Sequence, residues 1–218
     1  MPWYNNQTFT SWPTTWNLSW HRTAKYKQRR QIFSREHLKG LPNIQSGACV
    51  GLSFAWIVRH TSRPLEAAGL RCQSLNPNCA YDQHNNVSGI FNRGGHTYLL
   101  RVQAAATRVL GTVAANVIEV DEVNFVTFNA VLGHLNAHPG YHVVNMQFPE
   151  SPTGHLIALH QGATHLVVFD PNSGEYRIAN ADRQAFFLAL KRQYLTYVKS
   201  NGEAMPLTIS DFDIFYLP

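Results

Sequence analysis

At Gly140 the apolar pattern of this chain changes period, and that change constrains the fold more than any other feature. Upstream, residues 48–60 are apolar on nearly every side, with Val50, Leu52, Phe54, Ala55, Trp56, Ile57 and Val58 in one run. A one-faced helix would alternate its apolar stripe with polar positions, so this run reads as a helix buried all round. Arg63-Pro64 ends it. Residues 71–95 read as a long irregular loop, and Tyr98, Leu99, Val102, Ala105, Ala106 and Val109 follow at helical spacing. A further helix opens near Asp121 and runs through Val126, Ala130 and Leu135 to His138-Pro139. Downstream of Gly140 the runs are short: 141–148, 155–160, 165–170 and 175–178, separated by Gln161-Gly162-Ala163-Thr164 and Pro171-Asn172-Ser173-Gly174. Such runs are the signature of an antiparallel sheet. A helix over 182–198 and a closing strand over 212–217 complete it. Helices followed by a sheet make an α+β fold.

The 218 residues suffice for one well-buried domain. That domain begins near Leu41-Pro42, so residues 41–218 fold together and residues 1–40 form an N-terminal extension. The extension holds Trp3, Trp12, Trp16 and Trp20, then Arg22, Lys25, Lys27, Arg29, Arg30, Arg35 and Lys39 against Glu36 alone. The net charge of +5 is therefore concentrated there. It reads as a partly flexible leader suited to an acidic partner or a membrane surface, with nucleic acid not expected. No apolar run approaches the ~18 residues of a membrane span, and the N-terminus lacks the apolar core of a cleavable signal. The chain is read as a monomer that needs no cofactor.

Three cysteines, Cys49, Cys72 and Cys79, are an odd number without a metal-type CxxC pair, which argues against a disulfide framework. A Cys72–Cys79 bridge stays open, leaving Cys49 as the lone thiol. Cys49 stands where Ser46-Gly47-Ala48 leads into the buried helix, so its sulfur lies at a helix N-terminus, whose field stabilises a thiolate. Backbone N–H groups there can accept an oxyanion, with a side-chain amide from Asn43 or Gln45 completing the hole. A thiol nucleophile needs a base, and the base a group that fixes its ring. His155 opens one predicted strand and Asp170 ends the next. A four-residue turn pairs His155 with Asp170. A two-residue turn puts His155 opposite Val168, with Asp170 its diagonal neighbour. In both registers the two side chains share a face, because side chains alternate with period two. Each residue alone is commonplace; together they are a candidate Cys-His-Asp triad. His165 is the fallback base. His134 and His138 are four apart on a helix, a spacing that can bind zinc, but no third ligand is evident and no metal site is assigned.

These residues resemble the papain-like cysteine proteases of the YopT/AvrPphB family of bacterial effectors. The resemblance rests on Gly47-Ala48-Cys49-Val50-Gly51-Leu52 with Trp56 beyond, on Gly154-His155, and on Phe169-Asp170-Pro171-Asn172 with Gly174 and Tyr176. It covers roughly residues 41–218. It implies a papain-like fold with Cys49 as nucleophile at a central helix N-terminus, His155 as base and Asp170 as orienter. Papain's oxyanion glutamine lies six residues before its cysteine, which points to Asn43, with Gln45 the alternative. It further implies secretion by a bacterium and cleavage of a chosen host protein in the host cytosol or at its membranes, with a delivery chaperone as another partner for residues 1–40. Two other readings compete: a transglutaminase-like acyltransferase or deamidase using the same three groups, and a non-catalytic binding module. The first usually places Cys and His closer in sequence than residues 49 and 155.

Overall fold

The computed structural model describes residues 17–28, 31, 48–75, 106–107, 110–111, 115–120, 125–150, 154–196, 204–209 and 211–218. Seven strands form one sheet: β1 (Arg22–Lys25), β2 (Ala115–Val120), β3 (Gly140–Gln147), β4 (His155–Gln161), β5 (His165–Asp170), β6 (Gly174–Ala179) and β7 (Asp211–Leu217). Their order is β1-β6-β5-β4-β3-β7-β2, and each ladder is antiparallel. Helices α1 (Cys49–Ser62) and α2 (Ala68–Ser74) precede most of the sheet, α3 (Phe125–Ala137) leads into β3, and α4 (Arg183–Leu195) follows β6. The fold is α+β, as the change of period predicts. β1 and β2 were not anticipated, and α2 occupies the start of the expected loop at 71–95. The rest of that loop, and most of the helical pattern at 98–109, lie outside the described residues.

The two faces of the sheet carry separate cores. On one, Leu52, Phe54 and Trp56 of α1 pack on Val143, Leu156, Ala158 and Phe169. On the other, Phe186, Phe187 and Leu190 of α4 and Val131 and Leu135 of α3 pack on Val144, Ile157, Leu159 and Val168. Burying one such side chain contributes about 1.5–3 kcal/mol. Because β3 and β4 are covered on both faces, they read as near-continuous apolar runs rather than alternating ones. Trp56, fully buried, stacks between His60 at 4.8 Å and Phe169 at 5.8 Å. Its indole N–H donates to Glu175 Oε2 at 2.7 Å, and the Arg71 guanidinium donates to both oxygens of the same carboxylate at 3.1 Å.

Two expectations need correction. The β4–β5 hairpin adopts neither predicted register: His160 pairs with Val167 and Gln161 with Leu166. The reversal is tight, with Gly162 N–H donating to His165 O at 2.9 Å, so the turn is Ala163-Thr164. Continuing the count puts His155 across from Asn172 and makes Asp170 its diagonal neighbour. The shift is an even number of residues, so the shared face survives. The second correction concerns the boundary at residue 41. Within residues 1–40, Arg22–Lys25 join the sheet as β1, and Tyr26 and Gln28 are buried. Cys72 carries a free thiol, so it is not bridged to Cys79, which itself lies outside the described residues.

β1 meets β6 at Gly174, whose φ of +129° L side chains rarely adopt, and where an added Cβ would fall 2.0 Å from Ala24 O. Gly174→Ala is therefore expected to lower the unfolding free energy by roughly 2 kcal/mol or more through loss of this strand pairing. Chemical denaturation with an unchanged midpoint would contradict it. A second expectation concerns acid. Burial holds His60 and His142 neutral, each pushed down to about 3, with Arg71 and His160 adding to the effect at His60 and His134 and His138 at His142. Between about pH 3 and 6.5 the unfolded chain binds the protons these two refuse, so stability should fall as pH drops below 6.5. A stability profile flat from pH 7 to 4 would count against it.

Candidate active site

Cys49 is the first residue of α1, and the N-cap, Ala48, has no side-chain oxygen to offer the helix. The cap position is filled from a distance instead: Gln28 Oε1 accepts the Ala48 N–H at 2.9 Å. Ser53, just over one turn further on, donates its hydroxyl to Leu156 O at 3.0 Å. That bond docks the start of α1 on the start of β4, beside His155. On its other side, Gly154 lets the chain enter β4 close against β3, since a Cβ there would stand 2.9 Å from Met146 O and 3.0 Å from Asn145 Oδ1.

His155 is buried between the other two residues. Its Nε2 lies 2.8 Å from Asp170 Oδ1, and its side chain hydrogen-bonds Cys49, for which Nδ1 is the remaining ring nitrogen. Asp170 is fully buried and well supplied with donors. Besides the imidazole it accepts from Asn172 N–H at 2.8 Å, Ser173 Oγ at 2.5 Å and Tyr194 OH at 3.2 Å. The Tyr194 ring also covers the imidazole, with centroids 5.7 Å apart. The sequence-predicted residues Cys49, His155 and Asp170 are thus brought together.

The electrostatics follow from these contacts. Burial alone would push the Cys49 thiol up, but the His155 hydrogen bond and charge, with backbone hydrogen bonds at Leu156 and Val50, outweigh it and the pKa is lowered. Burial would push His155 down; hydrogen bonds to Asp170 and Cys49 and the charge on both reverse this and raise it. Asp170 is lowered against its burial by the His155 and Ser173 hydrogen bonds and the His155 charge. The three shifts together favour thiolate, imidazolium and carboxylate. Cys72 is the contrast within the same chain: burial first, then the Glu175 charge, push its thiol up to about 12.

The other candidates stand apart. His165 sits at the hairpin end of β5, five residues from Asp170 and so roughly 17 Å away along the strand, with Nδ1 2.8 Å from Thr164 Oγ1. The His134 and His138 rings lie tilted with centroids 4.8 Å apart, and His142 is 5.5 Å from His134, but no cluster disposed to hold a metal exists among the described residues. Asn43 and Gln45 lie outside the described residues. Sequence reasoning missed Gln28, Asn172, Ser173 and Tyr194. Gln28 binds both halves of the site: its N–H donates to Pro171 O at 2.7 Å and its Nε2 to Asn172 Oδ1 at 2.6 Å. Gln28 stands 21 residues before Cys49, beyond any local motif. Tyr194 could have been read only as a helix residue facing the core.

A thiol at the N-terminus of a buried helix, set against an antiparallel sheet that carries histidine and then aspartate, within this α+β order, is the papain-like fold. The solved structure of the Pseudomonas avirulence protein AvrPphB has that fold too: the two match with a TM-score of 0.68 over 93% of this chain and 100% of that one, at 17% identity. At such an identity the likeness is one of fold. Neither a protein-family model nor a curated protein matches the sequence.

Thiol chemistry gives a direct test of the electrostatics. Alkylation of Cys49 by iodoacetamide should proceed well below the ordinary thiol pKa and slow by about tenfold or more at pH 6.5 in His155→Ala. Mass mapping should find Cys72 unmodified at that pH. Equal rates in the wild type and the variant would show that His155 does not hold the thiolate.

Proposed function

We propose that the chain is a cysteine endopeptidase of the bacterial-effector kind, with Cys49 as nucleophile, His155 as base and acid, and Asp170 as orienter. The observation that supports it most is the double engagement of His155, which bonds Cys49 on one side and Asp170 on the other. In this mechanism the Cys49 thiolate attacks the scissile carbonyl carbon, and the carbonyl electron pair moves onto oxygen. The backbone N–H of Cys49, at the helix start, stabilises that oxyanion together with the side-chain amide of Asn43 or Gln45. The His155 imidazolium gives its proton to the departing amine, leaving a thioester. A water then attacks the thioester, His155 takes its proton and returns it to the sulfur, and the carboxylic acid leaves. Asp170 stays ionised and holds the imidazole with Nε2–H toward itself and Nδ1 toward sulfur.

The avirulence protein with the same fold supports secretion from a bacterium and action on a protein inside a host cell. Recruitment, to a membrane surface or a delivery chaperone, would fall to the Trp-rich residues ahead of β1, since Arg22–Gln28 belong to the sheet and the site. In the competing acyltransferase or deamidase reading the same thioester passes to an amine, or forms from a glutamine side chain with release of ammonia.

The test is a fluorogenic peptide library with an epoxide inhibitor of papain-like thiols. Cys49→Ala should abolish cleavage, and His155→Ala should reduce kcat/KM by about 10³-fold or more. Asp170→Asn should retain a measurable fraction. The inhibitor should label Cys49 and spare Cys72. Cleavage that survives Cys49→Ala, or ammonia release without peptide cleavage, would sink the endopeptidase reading.

A further inference from the structure

Behind the Asp170 side of the triad, a groove runs between α4 and the β1 edge of the sheet. Two cavities form it, of about 330 Å³ and about 480 Å³, and they share Arg22, Gln193 and Thr196 as walls. The smaller begins at Asn172 and Ser173 and carries Lys27, while the larger carries Arg192 and ends at Trp20. Three cations therefore line the groove, and among the described residues no Asp or Glu lines either cavity. Trp20 is 71% exposed at the far end, which is unusual for an indole and leaves a broad apolar surface beside the charges.

We infer that this groove is a docking site for an acidic segment of a protein partner or substrate, lying apart from the thiol and imidazole. Carboxylates meet Arg22, Lys27 and Arg192, and the side-chain amides of Asn17, Asn172 and Gln193 line the same walls to bond a peptide backbone. Cations spaced along two joined cavities fit an extended chain better than a single small anion. One tryptophan gives an apolar side chain a place to rest but provides no ladder for stacked bases. The near end of the groove touches the site described above: Asn172 lines it, and Asn172 Nδ2 is 3.5 Å from His155 Nε2. An occupant thus sits one side chain from the imidazole, on the side away from Cys49. Complementary charge steers association and sets specificity, so binding here would select which proteins reach the thiol.

The inference concerns binding and is read on the full chain carrying Cys49→Ala, where no hydrolysis contributes. Its failure is thereby separate from any failure of the endopeptidase reading. Fluorescein-labelled hexaglutamate is titrated against it and followed by anisotropy, with hexaglutamine as the neutral comparison. Hexaglutamate should bind and hexaglutamine should not, and raising salt from about 50 to about 300 mM should weaken binding about tenfold or more. Lys27→Glu combined with Arg192→Glu should weaken it at least about tenfold, whereas Lys25→Glu, a single charge reversal of the same kind on exposed β1 surface outside the groove, should change it less than about twofold. If circular dichroism shows the double variant unfolded, Lys27→Gln is used and should weaken binding about threefold. Equal loss in Lys25→Glu, equal binding of hexaglutamine, displacement by millimolar inorganic phosphate, or tighter binding of single-stranded oligodeoxythymidylate would each overturn the inference.

Discussion

Helix α1 is useful only if it is held at one depth and one rotation, and the Trp56–Glu175–Arg71 contact is the polar anchor that fixes its far half. The indole is clamped by ring stacking above and below, and its N–H ends on a carboxylate that also neutralises a buried guanidinium. Three elements meet there: α1, α2 and β6. Such a buried pair adds little against an apolar replacement, but removal of one partner strands the other charge at a cost of about 3–5 kcal/mol. The contact therefore acts on specificity of packing. Trp56 lies seven residues, about two turns, beyond Cys49, so fixing its ring fixes the direction in which the sulfur leaves the helix.

At the site itself, burial and pairing oppose one another, and the outcome differs residue by residue. Cys49 and Cys72 are both buried in the same core. One meets an imidazole and becomes more acidic; the other meets the Glu175 carboxylate and becomes less so. Reactivity here is set by neighbours and not by accessibility alone. Asp170 makes the same point, because four donors keep an otherwise buried carboxyl ionised.

What was legible in the sequence was what depends on period. Helices α1 and α3, the strands from Gly140 onward, and the shared face of His155 and Asp170 all follow from spacing. The parity argument survived an incorrect register because any even shift leaves both side chains on one face. What was not legible depends on pairings between distant segments. β1 is four residues long within a polar, basic stretch, and only Gly174 on its partner makes room for it. Gln28 has no motif to announce it, since its two partners stand at positions 48 and 172. Ala48 offers no cap of its own, and that gap was the sole local hint that a donor had to be met from elsewhere.

The bridge through Gln28 also has a consequence for time. Its partner Asn172 lies 144 residues further along, and Thr23 reaches Glu175 across 152. A chain emerging N-terminus first exposes β1 long before β6 exists to receive it, and contacts this distant in sequence close late. The Gln28 bridge across the site can therefore close only once residues 23–28 and 172–175 have both been made and brought together. Until β4 is in place, Cys49 lacks the imidazole that lowers its thiol pKa. The acidity of this thiol is thus a property of a long-range topology and not of its local sequence.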